Sequence, residues 1–294
     1  MVLFRVNDIN IFIFSFIFSL VFIFCCCMVD SLIGFWVFLE LCGLSIIPSF
    51  FYNFNLSGYN IYGSILSYVI VSGLSSIFIV LGLLISSLYY FVLFGFILKL
   101  GLFPFMWWVY WVFASSNWLL IFFISVVMKF PILFFCYLYE LSNVKIVYID
   151  SFLTILICSL VFWFFSLSWE YVWCHISLSS VATLIVACFC SSVEICCFIY
   201  GYYFVWGCVT IVYFNLIADV MEIKSYLFWV FCFLLLVTPL SMPLIYKISM
   251  CIGILYSSIY ILLVWSVYSF SEQFFLYKLA SEYFYVNVFN GWVN

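Results

Sequence analysis

Four ionisable residues lie near the middle of long apolar runs: Glu40, Lys99, Lys129 and Lys247. A charge at that depth in a membrane is costly unless it has a partner or water, so such a residue indicates function. A lysine removed from water gives up its proton more readily, whereas a glutamate a few ångströms away favours the ammonium form. A Glu–Lys pair whose separation changes can therefore load and release a proton. The four residues predict a proton relay.

Glycine and proline interrupt two of these runs, and the helix-breaking residues are Gly101, Pro104, Pro239 and Pro243. Proline has no backbone N–H and interrupts a helix. A membrane tolerates such a break only where neighbouring groups or a wet cavity satisfy the freed carbonyls. Transporters use paired broken helices to hold ions and water at mid-membrane. We therefore expect two discontinuous helices, one beside Lys99 and one beside Lys247.

The composition defines the class of protein that carries these residues. Of the 294 residues, 70% are hydrophobic and 6% are charged, and the mean hydropathy is +1.41. A soluble domain would have too few polar residues to cover its surface, and a membrane β-barrel would need alternating polar and apolar positions. The sequence predicts an all-α, polytopic transmembrane helix bundle. The net charge of −4 indicates no nucleic-acid partner.

A membrane span needs roughly 20 apolar residues, and the chain holds about ten such segments. We place the fourth span at about 88–113, the fifth at about 118–139 and the ninth at about 226–256, and predict a single transmembrane domain at 1–278. A short interfacial tail, 279–294, follows.

The basic residues in the predicted loops and termini indicate the orientation in the membrane. Most of these residues fall on the same side of the membrane as the two termini, and basic residues are enriched on the inner side, so both termini are predicted to lie there.

Metal and haem sites are not indicated. The 14 cysteines lie within apolar helices and form no C-x-x-C pair, and the single histidine cannot supply bis-histidine haem or copper ligation. We expect His175 to make a hydrogen bond at a helix end rather than to join a relay. The remaining acidic residues, Glu272 among them, are predicted near span ends, in water.

The motifs around the buried charges resemble those of a known family. The segments 36–48 (WVFLELCGLSIIP), 99–108 (KLGLFPFMWW) and 129–131 (KFP) are similar to the glutamate-bearing helix and the two lysine-bearing helices of chain 2 of mitochondrial NADH:ubiquinone oxidoreductase. Residues 239–247 (PLSMPLIYK) form a looser version of that family's second broken helix, and Ser179–Ser180 resembles its serine pair. Histidines typical of the family are replaced here by Met106–Trp107 and Thr183.

The resemblance implies an antiporter-like core subunit of the membrane arm of respiratory complex I, in the mitochondrial inner membrane with its termini in the matrix. The subunit would bind no cofactor itself, since NADH, FMN, Fe–S clusters and ubiquinone belong to the whole complex. Its partners would be other membrane-arm subunits, neighbouring antiporter-like subunits among them, and lipids such as cardiolipin. Glu40 and Lys99 would be the switch pair, Lys129 the central relay and Lys247 the terminal site.

Two other functions fit the same residues. A free-standing proton or cation antiporter would use the same buried charges without partner subunits. A membrane-arm scaffold would keep the charges without moving protons. Co-purification separates the first alternative from a complex subunit, and neutralising the buried lysines separates the second.

Overall fold

A computed structural model describes residues 2–51, 58–139, 144–166, 168–219 and 225–281, and the predicted tail lies outside these ranges beyond Ser281. The described residues form thirteen α-helices and no strand: α1 Val2–Cys27, α2 Leu32–Ile46, α3 Gly58–Leu84, α4 Tyr90–Leu100, α5 Trp107–Ala114, α6 Trp118–Ser125, α7 Pro131–Leu138, α8 Lys145–Phe165, α9 Trp169–Cys190, α10 Val193–Asp219, α11 Ser225–Leu235, α12 Met242–Ile254 and α13 Ile259–Leu279. Short 3-10 turns occupy Ile47–Phe51, Ser86–Leu88 and Val127–Lys129.

The chain is a multi-pass helical membrane protein. Within the described ranges, eight helical segments are long and apolar enough to cross a membrane, and α4 and α12 are shorter apolar helices. A helix must run for about 20 residues to span the hydrocarbon, so neither short helix spans it alone. Each is half of one of the two discontinuous helices.

The two discontinuous helices lie where the prolines predict them. Residues 101–106 separate α4 from α5, and residues 236–241 separate α11 from α12. The predicted all-helical bundle with two broken helices is confirmed. One detail differs, because Pro243 lies in the first turn of α12 and not in the break. That position suits proline, since the first-turn N–H has no helical partner and its absence costs nothing.

A third interruption divides the predicted fifth span. Helix α6 ends at Ser125, the 3-10 turn Val127–Lys129 follows, and α7 begins at Pro131. The sequence placed Lys129 at the centre of a continuous helix, whereas the structure places it in this turn. Proline at the first position of α7 cannot donate a bond back to the preceding turn, which favours ending one helix and starting another there.

Helix α9 is the scaffold on which the interruptions meet. It is the most buried of the candidate spans, with 89% of its span inside the described structure. It contacts α5, α7 and α12, which are the halves that follow the three interruptions. Small residues on α9, including Ser179, Ser180 and Ala182, allow this close packing because they let neighbouring helices approach. The fold therefore brings all three interruptions to one helix.

Candidate functional site

The first buried ion pair joins Glu40 on α2 to Lys99 on α4. The Lys99 Nζ donates to Glu40 Oε1 at 2.5 Å, and the Ser72 hydroxyl donates to Glu40 Oε2 at 3.4 Å. The lysine side chain is 4% exposed and that of the glutamate 22%. Gly43 lies beside the pair, where a Cβ would be in ordinary contact with Lys99 Nζ at 3.9 Å and in tight contact with the Tyr68 hydroxyl at 3.3 Å. The structure thus brings two of the predicted site residues into direct contact.

Several backbone groups at the first break are bonded by neighbouring residues. Gly101 adopts a left-handed conformation with φ 71°, and Leu102 N donates to Ile97 O at 3.1 Å, as in a Schellman helix ending. The Trp108 indole donates to Leu98 O at 3.2 Å, and Phe103 N donates to the Thr154 hydroxyl at 3.2 Å. Capping of this kind is what an interrupted helix needs inside a membrane.

Lys129 is held by dipoles. Its Nζ lies 2.8 Å from Ser177 O, 2.5 Å from Ser180 Oγ and 2.6 Å from the Tyr203 hydroxyl, which uses all three N–H groups of an ammonium. Across the described ranges, no carboxylate lies within ion-pair distance of it. Lys129 is 2% exposed, and its partners in the described ranges are polar groups and the Tyr203 ring, not a counter-ion.

Two tyrosines of α10 close the interruption beside Lys129. Tyr203 OH donates to Ser125 O at 3.1 Å, and Tyr200 OH donates to Val126 O at 3.2 Å. Ser125 is the last residue of α6, so its carbonyl has lost its helical partner, whereas Val126 O also accepts from Lys129 N at 3.3 Å within the 3-10 turn. The same Tyr203 hydroxyl therefore contacts both the lysine and the backbone of the interruption that positions it.

The second buried ion pair was missed from the sequence. Lys247 Nζ on α12 lies 3.1 Å from Glu272 Oε1 on α13, with side-chain exposures of 13% and 5%. The prediction that Glu272 lies near a span end in water is wrong, because the residue sits well inside α13 with its side chain against α12. An acidic residue inside an apolar helix, 25 positions after a buried lysine, was the available signal.

Two small cavities connect the charged groups. A cavity of about 30 Å³ is lined by both Lys99 and Lys129. A second of about 20 Å³ is lined by Ser180, Lys247 and Glu272. Each has room for a water molecule, which needs about 10–15 Å³ measured in this way. The polar groups therefore follow one another across the bundle in a nearly continuous series: Glu40, Lys99, Lys129, Ser180, Lys247 and Glu272.

His175 does not lie at a helix end, contrary to the sequence prediction. It is fully buried on α9, and its Nδ1 lies 2.7 Å from the Tyr110 hydroxyl on α5. Its ring packs against Phe162, and its Nε2 has no hydrogen-bond partner among the described residues. The histidine joins α9 to the second half of the first broken helix, away from the lysines' own contacts.

Metal chemistry has no site in the described ranges, where no cluster of three or more His, Cys, Asp or Glu side chains could hold an ion. What the arrangement offers is a row of proton donors and acceptors inside the helix bundle. Hydroxyls, lysines and carboxylates joined by short contacts and water-sized cavities can pass protons between neighbours.

Comparisons with known proteins support the fold. The sequence matches no protein family and no curated protein. The structure is similar to a chain of the membrane-bound sulfane sulfur reductase, an archaeal respiratory membrane complex, with a TM-score of 0.68 and 15% identity. The match covers 91% of this chain and 65% of that one, so the chain spans less than two thirds of the length of the neighbour it matches.

Proposed function

We propose that this chain is a membrane-arm subunit of a proton-translocating respiratory complex, and that Glu40, Lys99, Lys129 and Lys247 relay protons through its mid-membrane axis. The single observation that carries the proposal is the series of buried charges and water-sized cavities from Glu40 to Glu272. Buried charges are costly in a membrane, and five of them along one line indicate a pathway. The fold shared with a respiratory-complex chain agrees with that setting.

The arrangement suggests how a charge shift would move protons. Lys99 and Lys247 each sit beside a carboxylate, whereas Lys129 lies between them with hydroxyl and carbonyl partners. Opening the Glu40–Lys99 pair leaves an unpaired cation beside the cavity that also borders Lys129. Like charges repel, so the proton on Lys129 is favoured to leave towards Ser180 and the second cavity. Closing the pair removes the repulsion, and Lys129 returns to the starting state when it takes up a proton from water in the first cavity.

The more specific assignment is chain 2 of mitochondrial NADH:ubiquinone oxidoreductase. The ordered motifs around Glu40, Lys99, Lys129 and Lys247 support it. In that setting the chain contributes proton translocation to an enzyme whose redox centres lie in other subunits. Its partners are the neighbouring membrane-arm subunits and inner-membrane lipids such as cardiolipin, and its termini face the matrix.

The test is replacement of Lys129 by methionine, which keeps the length of the side chain and removes the charge. We expect the complex to assemble and its coupled proton translocation to fall on the order of 10²-fold, the usual loss when a positioned proton-transfer group is removed. Proton uptake is measured in proteoliposomes during NADH oxidation, alongside the subunit content of the purified complex.

The matched control is Lys145→Met, which removes a lysine charge at the exposed start of α8. Translocation with the control should equal that of the unmodified complex. A Lys129→Met complex that assembles and pumps at the control rate would favour the scaffold function. Purification of the chain as a functional carrier without partner subunits would favour the free-standing antiporter.

A further inference from the structure

Gln273 connects the second ion pair to the second helix break. It follows Glu272 in α13, and its Nε2 donates to Glu272 Oε1 at 3.0 Å. Its Oε1 accepts from Val237 N at 2.8 Å, and its Nε2 also donates to Leu235 O at 3.4 Å. One side chain thus contacts the carboxylate and two backbone groups of the break.

Those two backbone groups need a partner. Leu235 is the last residue of α11, so its carbonyl has no helical N–H to bond, and the Val237 amide lies past the helix end. Backbone groups left unpaired inside a membrane are strongly unfavourable. A primary amide is suited to this place because it carries an acceptor and two donors on one planar group.

The carboxylate oxygen at the other end is shared. Glu272 Oε1 lies 3.0 Å from Gln273 Nε2 and 3.1 Å from Lys247 Nζ. A hydrogen bond to an ionised oxygen is roughly twice as strong as one to a neutral oxygen. The strength with which Glu272 holds the Gln273 amide therefore depends on the charge of Glu272.

We propose that Gln273 is a positioning residue that transmits the charge state of the Lys247–Glu272 pair to the backbone of the second helix break. An ionised Glu272 fixes the amide in the orientation that holds Leu235 O and Val237 N. When Glu272 is neutralised, the amide is held less firmly and the break opens more often. The inference rests on the proposed relay only for the source of the charge change.

The first ion pair has no such connection. Glu40 accepts from Lys99 and Ser72, and in the described part of the chain it makes no hydrogen bond to residues 101–106. The carbonyls before that break are bonded by the Trp108 indole and by backbone amides. Neutralising Glu40 should therefore leave the first break unchanged. This difference between the two pairs supplies an internal control.

The experiment is amide hydrogen exchange of the purified complex, read by mass spectrometry on peptides that cover 236–241 and 101–106. Gln273→Met, which keeps the chain length, should speed exchange of the Val237 amide about tenfold, as expected for one lost hydrogen bond. Glu272→Gln removes only the charge and should speed it severalfold. Glu40→Gln should not change exchange over 101–106, and Ser266→Ala, at an exposed position of α13, should change neither peptide.

The Glu272→Gln result decides the proposal. Unchanged exchange at Val237 in that variant would overturn the transmission of charge, even if Gln273→Met speeds exchange as a plain loss of a cap. Glu272→Gln also leaves Lys247 without its counter-ion, so exchange over 101–106 in the same variant must stay unchanged to exclude a general loosening of the fold. Hydrogen exchange does not depend on proton transport. Failure of the proposed relay would appear in the translocation assay, whereas failure of the Gln273 coupling would appear in the exchange rates.

Discussion

At the scale of single residues, the three buried lysines are not equivalent. Lys99 and Lys247 each contact a glutamate, whereas Lys129 contacts Ser177, Ser180 and Tyr203. Taking the proton from Lys99 or Lys247 leaves a buried carboxylate without its cation. Taking it from Lys129 leaves a neutral amine among neutral hydroxyls. In the proposed relay, Lys129 is therefore the group that passes the proton on, and the two ion pairs control it from either end.

Because Lys247 and Glu272 form a buried pair, we expect the stability losses of substitutions at the two positions to be strongly non-additive. Lys247→Met alone leaves Glu272 buried and unpaired, and we expect it to destabilise the subunit by about 3–5 kcal/mol. Adding Glu272→Leu removes the orphaned charge and should restore part of that loss, with a coupling energy of about 1–3 kcal/mol. The measurement is a double-mutant cycle on thermal unfolding of the subunit in the purified complex. Additive losses would show that the two side chains do not interact.

The sequence identified the buried charges that stand alone in apolar runs. It did not identify buried residues whose neighbours are polar, because such stretches resemble the end of a helix. Glu40, Lys99 and Lys129 stand alone in apolar surroundings, so their depth could be inferred. Glu272 lies in the stretch SFSEQ, whose serines and glutamine resemble a polar terminus, yet the Ser271 hydroxyl donates to Tyr268 O of its own helix, which allows burial. His175 was assigned to a helix end because its contact with Tyr110, 65 residues away, has no local signal.

At the scale of elements, the two broken helices end alike. In each, a tryptophan indole donates to a carbonyl in the last turn before the break: Trp108 to Leu98 O at 3.2 Å and Trp206 to Leu234 O at 2.8 Å. The tryptophan of the first break lies just after it on α5, whereas that of the second comes from α10. The same physical need is met by different parts of the chain. Prolines predicted the breaks, but nothing in the sequence predicted these partners.

The ending of α4 predicts a specific sensitivity to a methyl group. Gly101→Ala places a Cβ at φ 71° and against the Val109 side chain, and we expect a loss of at least about 1–2 kcal/mol from the left-handed backbone alone. The matched control is Gly73→Ala in α3, where a Cβ would meet nothing within 4 Å. Helix propensity makes that change neutral or stabilising, by up to about 1 kcal/mol. The two variants are compared by heating the purified complex and measuring how much of the subunit stays in it. Equal thermal stability of the two variants would contradict this prediction.

The interruption before α7 shows where element prediction stops. Pro131 was visible beside Lys129, but a proline at this position is compatible with a continuous, kinked span or with two helices. The interruption is stabilised from α10 by Tyr203, which donates to the freed carbonyl of Ser125, and by Tyr200, which donates to Val126 O. Contacts from a distant helix stabilise this interruption, and the residues around Pro131 do not predict those contacts.

At the scale of the whole molecule, α9 brings the three helix interruptions and the polar groups beside them together along one line. It packs against α5, α7 and α12, and its Ser177 and Ser180 reach Lys129 while Ser179 and Thr183 line the second cavity. The overall helical bundle could be predicted from composition. The order of groups along the axis could not, because it depends on which face of α9 each neighbour meets. The fold is shared with a respiratory-complex chain at only 15% identity, so the packing persists while the side chains differ.

The most direct test of the account is the number of protons translocated per electron by the assembled complex with Lys99→Met. This change keeps the side-chain stem and removes the cation from Glu40, so the switch that drives Lys129 is lost. We predict an intact complex with proton translocation reduced by about tenfold or more. An intact complex that keeps the full proton-to-electron ratio without Lys99 would contradict the relay and leave the buried charges with a structural role.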